Sequence, residues 1–319
     1  MDTIVPSTAT LELLAEGFRL TEGPVWRGDG HLLFSDLEGD LIYTWRPDRW
    51  VPSGIVGSLM PDGLYTWMKK RRISEYRVKH GYIGKKRPAY SFPNGLALDK
   101  EGRLTMCEHG HRRVARLEKD GSMTVLADRY EGHRLNSPND LVYRSDGRLY
   151  FTDPPFGLPQ TFGDPGKELP FSGVFSLSQG TLRLLSVELN GPNGLAFSPD
   201  EKYLYVTNSD ADQRVVMRYD ANADGTLSNG IVFYDMTFAP GRGGLDGMKI
   251  DQHGNLYVTG PGGIWVLSPN GKHLGTIKGP KQPANIAWGD DDGKTLFLTA
   301  QTELQRIRLN VAGVRAGPA

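Results

Sequence analysis

A repeating pattern of polar and apolar positions runs along most of the chain. In each copy a polar residue opens an apolar strand pattern, a turn follows about eight residues later, and a second alternating segment begins. The turns are mostly acid–glycine pairs, such as Asp29-Gly30 and Asp146-Gly147, and glycine accepts the positive φ that tight hairpins require. Six copies can be recognised, and their opening residues are Glu22, Asn94, Asn139, Asn193, Asp246 and Asn285.

The pattern of the second segment of each copy predicts a half-buried strand. HLLFSD, RLYFTD, KYLYVTN and NLYVTG alternate their side chains and are rich in β-branched and aromatic residues. A third strand pattern follows most of them, as in LIYTWRPD and GVFSLSQG. Six units of three or four strands predict an all-β fold, a six-bladed β-propeller in which residues 1–319 form one domain. The segment from Thr10 to Leu20 is expected to supply an outer strand that closes the ring with the last blade.

The interval between the first two copies is the longest one. It contains the segment from Trp67 to Pro88, which carries nine Lys or Arg residues and one Glu. We expect a basic insertion around residues 60–90. It is either a lid or docking arm, or a solvated loop of the kind that charge runs usually form.

Charge and cysteine content exclude several functional classes. The chain has 37 Lys and Arg against 37 Asp and Glu, so it lacks the net basic face that general nucleic-acid or membrane binding needs. The single cysteine, Cys107, cannot form an internal disulfide or a thiolate cluster. No apolar run is long enough to span a bilayer, and the first residues do not resemble a signal peptide. The chain is therefore expected to be cytoplasmic, as a monomer or small homo-oligomer.

The six opening residues carry the candidate chemistry. The first strand of each propeller blade lines the central channel, so these residues are expected to form a ring at one end of it. All six bear carboxylate or carboxamide oxygens, the hard ligands that Ca²⁺, Mg²⁺ or Mn²⁺ prefer, and Glu22 and Asp246 supply the neutralising charge. Asn and Asp at strand entries also cap turns, and Asn94 and Asn285 could serve that purpose or face the substrate.

Several motifs resemble those of the senescence marker protein (regucalcin)/gluconolactonase family, from Glu22 to Leu309. They are EGPVW, NSPNDLV followed by YFTDPPFG, GPNGLAFSPD and GLDGMKID, and CEHGHRR is similar to the bacterial gluconolactonase branch. The resemblance implies that Glu22, Asn193 and Asp246 hold a divalent metal. It also implies that Asn139 is a further ligand or a substrate contact, and that Asp246 doubles as the general base. The chain departs from the regucalcin branch at Ser137, where that branch has an Arg.

A hard cation on such a ring can polarise a carbonyl group and stabilise the developing oxyanion. We therefore expect a metal-dependent hydrolase that opens sugar-type or other small lactones by attack of water. No G-x-S-x-G motif is present, which argues against a serine hydrolase. The expected cofactor is one divalent ion, with Ca²⁺ first and Zn²⁺, Mn²⁺ or Mg²⁺ as alternatives.

Two residues are candidates for the base. Asp246 is the first and His109 the second, although His109 could instead be a structural hydrogen-bonding residue. The substrate is expected to meet residues of the ring and of the neighbouring strand ends, namely Asn94, Asn139, Glu108, Asp153 and Phe156. Two other functions remain open: an organophosphate or aryl ester hydrolase on the same metal site, and a propeller that only binds a ligand or protein.

Overall fold

The computed structural model describes residues 1–46, 73–76 and 92–314. The described residues form a six-bladed β-propeller of six four-stranded sheets, accompanied by one two-stranded ribbon. No α-helix occurs in these ranges, and one 3₁₀ turn spans Thr161–Gly163. The sequence prediction of the fold class is therefore confirmed.

Each blade places its strands in chain order from the channel outwards, except where the ring closes. The first strand of the chain is β1 (Glu12–Glu16), and blade 1 contains β2 (Thr21–Arg27), β3 (His31–Asp36), β4 (Leu41–Trp45) and β5 (Ile73–Tyr76). Blade 2 contains β6 (Pro93–Leu98), β7 (Leu104–Glu108), β8 (Arg113–Leu117) and β9 (Met123–Ala127), and the ribbon β10 (Arg129–Tyr130) and β11 (His133–Arg134) follows. Blade 3 contains β12 (Leu141–Tyr143), β13 (Leu149–Asp153), β14 (Gly173–Ser178) and β15 (Thr181–Ser186). Blade 4 contains β16 (Pro192–Phe197), β17 (Tyr203–Asn208), β18 (Val215–Ala221) and β19 (Leu227–Asp235). Blade 5 contains β20 (Met248–Ile250), β21 (Leu256–Gly260), β22 (Gly263–Leu267) and β23 (His273–Ile277). Blade 6 contains β24 (Asn285–Gly289), β25 (Thr295–Ala300) and β26 (Glu303–Arg308).

The ring is closed by β1, which pairs antiparallel with β26 and becomes the outer strand of blade 6. Glu12 lies opposite Arg306, and the Arg306 guanidinium donates to the Glu12 carboxylate at 2.8 Å. The outer strand expected between Thr10 and Leu20 is therefore present.

The expected basic insertion is in part a blade strand. Residues Ile73–Tyr76 form β5, which pairs with β4 as the outer strand of blade 1. The rest of the segment from Trp67 to Pro88 lies outside the described residues.

Aromatic side chains fill the space between neighbouring blades. Trp26 of blade 1 stacks on Phe297 of blade 6 with ring centroids 5.3 Å apart, and Tyr257 of blade 5 meets Trp288 edge-on at 4.9 Å. Such pairs add to the stabilisation that burial of their area provides. They fix the blades against one another and so hold the channel-lining strands in place.

Hydroxyl groups near the ends of the second strands connect blades 1, 3 and 4 to the blades that follow them. Ser35 donates to the carbonyl oxygen of Asn94 at 2.7 Å, Thr152 to that of Asn193 at 2.8 Å and Thr207 to that of Asp246 at 2.8 Å. These bonds set the height of the ring residues along the channel.

In blade 6 the equivalent bond runs from Thr259 to the carbonyl oxygen of Ala284, also at 2.8 Å. Ala284, and not Asn285, therefore occupies the ring position, and the sequence frame was wrong there by one residue. The reason is that the first two strands of blade 6 pair over a longer stretch than those of blade 5, so a count of eight residues back from the turn stops one residue short of the ring.

Candidate active site

Five of the six expected ring residues start the innermost strands at one end of the channel. Glu22, Asn94, Asn139 and Asn193 are buried, with at most 6% of their surface exposed, whereas Asp246 is half-buried. Backbone bonds between blades reinforce the ring, as Gly95 N–H donates to the Asn139 carbonyl at 2.8 Å. Side chains from positions more than 200 residues apart in the chain are thus held at one level.

Glu22 and Asp246 lie close enough to repel each other. Burial raises the pKa of Glu22 to about 7, with a further rise from the charge of Asp140. Burial likewise raises the pKa of Asp246 well above its usual range, and the charges of Glu22 and Asp140 add to the rise. Three carboxyl groups from blades 1, 3 and 5 therefore share one poorly solvated space, where a cation would relieve their repulsion.

Asn193 contributes an oxygen atom without a partner. Its Nδ2 donates to Ser209 Oγ at 3.0 Å, and Ser209 Oγ donates in turn to the Leu245 carbonyl oxygen. These bonds fix the amide, and its buried Oδ1 makes no hydrogen bond within the described part of the chain. A buried oxygen without a donor is costly, and a cation ligated by it would remove that cost.

The donor set differs from that of a His- or Cys-rich metal centre. Within the described residues, no three His, Cys, Asp or Glu side chains are grouped as metal ligands. The four candidates Glu22, Asn139, Asn193 and Asp246 combine two carboxylates with two carboxamides. An all-oxygen set of this kind fits a hard divalent ion better than a soft one.

Asp140 and Asn285 form a second layer directly below the ring, and sequence reasoning missed both roles. The equivalent residues of the other blades are Gly23, Gly95, Gly194 and Gly247. Asn285 Nδ2 donates to Asp140 Oδ2 at 3.4 Å, so the two side chains meet across the channel. A Cβ on Gly247 would lie 2.1 Å from Asn285 Oδ1, and one on Gly95 would lie 2.8 Å from Asp140 Oδ1. The glycines provide the space that these side chains fill. In the sequence, the Asp of NSPNDLV at a position where four other repeats have Gly could have indicated this second layer.

His109 is held by Asn94. The Asn94 amide donates to His109 Nε2 at 3.0 Å, and burial lowers the pKa of His109 to about 4. The imidazole is therefore neutral near pH 7, and its Nε2 lone pair is already engaged.

Glu108 and Asp153, two of the expected substrate contacts, are fully buried and bonded to other parts of the protein. Glu108 accepts from the Arg113 guanidinium and lies 3.3 Å from His111 Nδ1. Asp153 Oδ2 accepts from the Asn136 backbone N–H at 2.7 Å, and burial raises the pKa of Asp153 to about 7.

Phe156 belongs to the loop of residues 154–172, which connects β13 to β14 at the ring end of the channel. Its ring lies over Gly191, two residues before Asn193, at a point where a Cβ would be 3.0 Å from the Phe156 Cζ atom. Phe162 packs edge-on against Phe156 with centroids 5.9 Å apart and is 50% exposed. The loop thus places an aromatic pair beside a ring residue.

Comparison with known proteins identifies the family. The model of the SMP-30/gluconolactonase/LRE-like region matches residues 20–302, a range that includes strands of all six blades. The chain belongs to this family. No helix in the described ranges is long and apolar enough to cross a membrane.

Relatives within the SMP-30/gluconolactonase family resemble the chain over nearly its whole length. A gluconolactonase of Zymomonas mobilis is 35% identical, and the match covers 98% of this chain and 85% of that protein. The solved structure of a gluconolactonase from Xanthomonas campestris superposes with a TM-score of 0.77 at 30% identity, covering 97% of this chain and 91% of that one. The calcium-binding protein regucalcin from Agrobacterium tumefaciens has the same fold, with a TM-score of 0.72 at 17% identity and 97% of each chain covered.

Ser137, at which the chain departs from the regucalcin branch, has a structural role. Ser137 Oγ donates to the Pro154 carbonyl oxygen at 2.6 Å and accepts from the Gly157 N–H at 2.8 Å. Gly157 in turn packs against His109, where a Cβ would approach the His109 Cβ to 2.6 Å. In this family member the residue therefore anchors the loop that carries Phe156, and its hydroxyl group is used within the protein.

Proposed function

We propose that this protein is a divalent-metal-dependent lactonase that opens small lactones at the ring end of its channel. One observation carries the proposal. Asn193 Oδ1, a buried oxygen that accepts no hydrogen bond from the described residues, lies on the same ring as the mutually repelling carboxyl groups of Glu22 and Asp246. The gluconolactonase relatives from Zymomonas and Xanthomonas support the lactone substrate.

Glu22, Asn139, Asn193 and Asp246 would hold the metal. Ca²⁺ is the first choice because all four side chains offer oxygen, and the fold neighbour regucalcin is a calcium-binding protein. Bound there, the cation would supply Lewis-acid polarisation of the lactone carbonyl.

Asp246 acts as the general base in this proposal. Its carboxylate accepts a proton from the attacking water while the new C–O bond forms, and the proton then passes to the ring oxygen as the old ester bond breaks. The product is a hydroxy acid. Asp246 is preferred over His109 because His109 is buried, neutral and engaged through Nε2, whereas Asp246 retains some exposed surface.

The remaining expected substrate residues divide into two groups. Asn94, Asn139 and Phe156 are proposed to contact the lactone directly. Glu108 and Asp153 are proposed as positioning residues, since their carboxylates bind the protein itself: Glu108 orients Arg113 and Asp153 holds the Asn136 backbone.

The test combines metal analysis with a lactone assay. The purified protein should contain one divalent ion per chain, and a pH-indicator assay with γ- and δ-lactones should show turnover that EDTA abolishes and Ca²⁺, Mn²⁺ or Zn²⁺ restores. Asp246→Ala should lose turnover by about 10²–10⁴-fold, the usual contribution of a general base. Asp200→Ala, which changes an exposed aspartate at the far end of blade 4, is the matched control.

Three outcomes would contradict the proposal. Full turnover by a sample shown to be metal-free would remove the metal from the reaction. Normal turnover by Asp246→Ala would remove the base. Hydrolysis of a phosphotriester with no hydrolysis of any lactone would replace the proposed substrate class.

A further inference from the structure

The loop of residues 154–172, which carries the aromatic pair, is bonded to buried side chains from outside it at two points. Near its start it is held by the hydroxyl group of Ser137. In its second half, the guanidinium group of Arg112 reaches across from blade 2, and Nη1 donates to the Gly166 carbonyl oxygen at 2.8 Å. Phe162 lies between these two attachment points in the chain.

Arg112 binds backbone carbonyl groups of two separate segments. It closes the turn that begins at His109, whose carbonyl oxygen accepts from the Arg112 backbone N–H at 3.2 Å. Besides Gly166, the side chain binds Leu135, whose carbonyl oxygen accepts from Nε at 2.6 Å. Its one ion-pair partner within the described residues is Glu168, at 3.9 Å from Nη1. The guanidinium group thus joins blade 2 to the entry of blade 3 and to the loop.

Three features make this an unfavourable position for an arginine. The backbone of Arg112 has a φ of 57°, in the left-handed region that favours glycine. Burial lowers the pKa of its guanidinium group, because an interior site disfavours the charged form. Its third nitrogen, Nη2, is buried and makes no hydrogen bond within the described part of the chain. A backbone outlier that persists against such costs points to a specific role for its side chain.

The loop itself is strained between its two attachment points. Thr161, directly before Phe162, has a φ of 47°, and the left-handed region is especially unfavourable for a β-branched residue. Such a conformation persists only where the surrounding structure fixes it. The bonds from Ser137 and Arg112 lie on either side of Thr161 in the chain, so they limit how far this strained segment can relax.

We propose that Arg112 is a positioning residue of the lactone site, which holds the second half of the loop and thereby keeps the aromatic pair beside the ring. The proposal rests on the proposed function, in which Phe156 contacts the lactone. Without the guanidinium group, the loop would remain attached near its start, but Phe162 would be free to move away from Phe156. Substrate binding should then weaken.

The ring should not depend on Arg112. Asn139, the ring residue that follows Leu135 in blade 3, is fixed by its own backbone bonds: its N–H donates to the Thr152 carbonyl oxygen at 2.8 Å, and its carbonyl oxygen accepts from the Gly95 N–H at 2.8 Å. Loss of Arg112 should therefore change KM for the lactone and leave both kcat and metal affinity close to native.

The first experiment measures hydrogen–deuterium exchange of the loop by mass spectrometry, which requires no activity. In Arg112→Gln the loop amides should exchange at least about tenfold faster, since one hydrogen bond from a charged donor is worth a factor of about ten or more. Arg112→Lys should restore part of the protection. The matched control is Arg144→Gln, at a half-buried arginine that donates to the Asn222 carbonyl oxygen at 2.7 Å at the opposite end of the propeller.

The second experiment measures lactone kinetics and calcium affinity of the same variants. Arg112→Gln should raise KM by about two- to tenfold, the contribution of one aromatic contact, with kcat and calcium affinity within about twofold of native. Adding Phe162→Ala to Arg112→Gln should raise KM little further, because both changes act on the same aromatic pair. Should Arg112→Gln fail to fold, Arg112→Gly provides the same comparison with a residue that suits the left-handed backbone.

The outcomes separate this inference from the proposed function. Native exchange of the loop in Arg112→Gln and Arg112→Gly would refute the attachment. Faster exchange with KM effects that multiply fully in the double variant would refute the action through the aromatic pair, as would loss of kcat or calcium affinity with an unchanged KM. If the native protein hydrolyses no lactone, the proposed function falls and the role in substrate binding falls with it, while the exchange data still decide whether Arg112 holds the loop.

Discussion

Replacement of Asp153 by Asn should stabilise the protein in a pH-dependent way. Asp153 is completely buried, and its pKa is raised from an ordinary 3.8 to about 7, chiefly by burial. Asparagine keeps an oxygen atom that can accept the Asn136 N–H, so the main hydrogen bond survives the change. What disappears is the cost of ionising a carboxyl group in the interior.

The raised pKa of Asp153 determines how the free energy of unfolding changes with pH. Below pH 3.8 the group is protonated in both the folded and the unfolded states and costs nothing. Between pH 3.8 and 7 the unfolded chain releases the proton while the folded one retains it, so stability falls as the pH rises. With 1.36 kcal/mol per pKa unit, the cost is about 2 kcal/mol at pH 5 and about 4 kcal/mol at pH 8.

Urea denaturation of metal-free protein at pH 5 and pH 8 measures this difference directly. Asp153→Asn should exceed the native free energy of unfolding at both values, and its advantage should be larger at pH 8 by about 2 kcal/mol. The control is Asp291→Asn, at an exposed aspartate in the turn between β24 and β25, which should show no such gain. An advantage of the same size at both pH values, or a loss at pH 8, would refute the reasoning.

Three further predictions concern the site. Glu22→Gln should bind metal poorly yet raise the melting temperature of the metal-free protein at pH 8, because it removes a buried charge beside Asp246; a lower melting temperature would contradict the repulsion. His109→Asn should retain turnover within about tenfold and leave the pH–rate profile above pH 5 unchanged, since the native imidazole is neutral there; loss of a whole limb of the profile would make His109 the base. Phe162→Ala should raise KM for lactones by about two- to tenfold with little change in kcat, the contribution of one aromatic contact. Phe238→Ala, which changes a 96% exposed phenylalanine on another loop, is the control for that variant, and equal effects would remove the special role of the aromatic pair.

The fold could be predicted from the sequence because its signals are local. Each hairpin turn can be recognised from the residues within it. At Gly147, for example, the φ of 86° is the positive value that the Asp146-Gly147 pair predicts. A turn at the same position in all six copies of the repeat is compatible with few architectures. The exception was blade 6, where a longer strand pair moved the ring position from Asn285 to Ala284.

The site was predicted less completely because its details depend on contacts between distant residues. The sequence indicated that Glu22 and Asp246 would meet, since the repeat gives both the same position. It could not indicate that Arg113 engages Glu108, or that the Asn136 backbone engages Asp153, because such contacts depend on how loops fold over strand ends. Asp140 was overlooked although four of the other repeats have glycine at the equivalent position. Comparison of repeats should therefore consider the exceptions as well as the shared residues.

The pairing of β1 with β26 has a consequence for the order of events during synthesis. Glu12 and Arg306 are at opposite ends of the described chain, yet they complete the same sheet. Blades that emerge early from the ribosome can form their own hairpins, but the circle cannot be sealed until the last strand has been translated. A nascent chain that already contains Glu22, Asn193 and Asp246 would still be an open arc, so the proposed metal site should be completed only after translation.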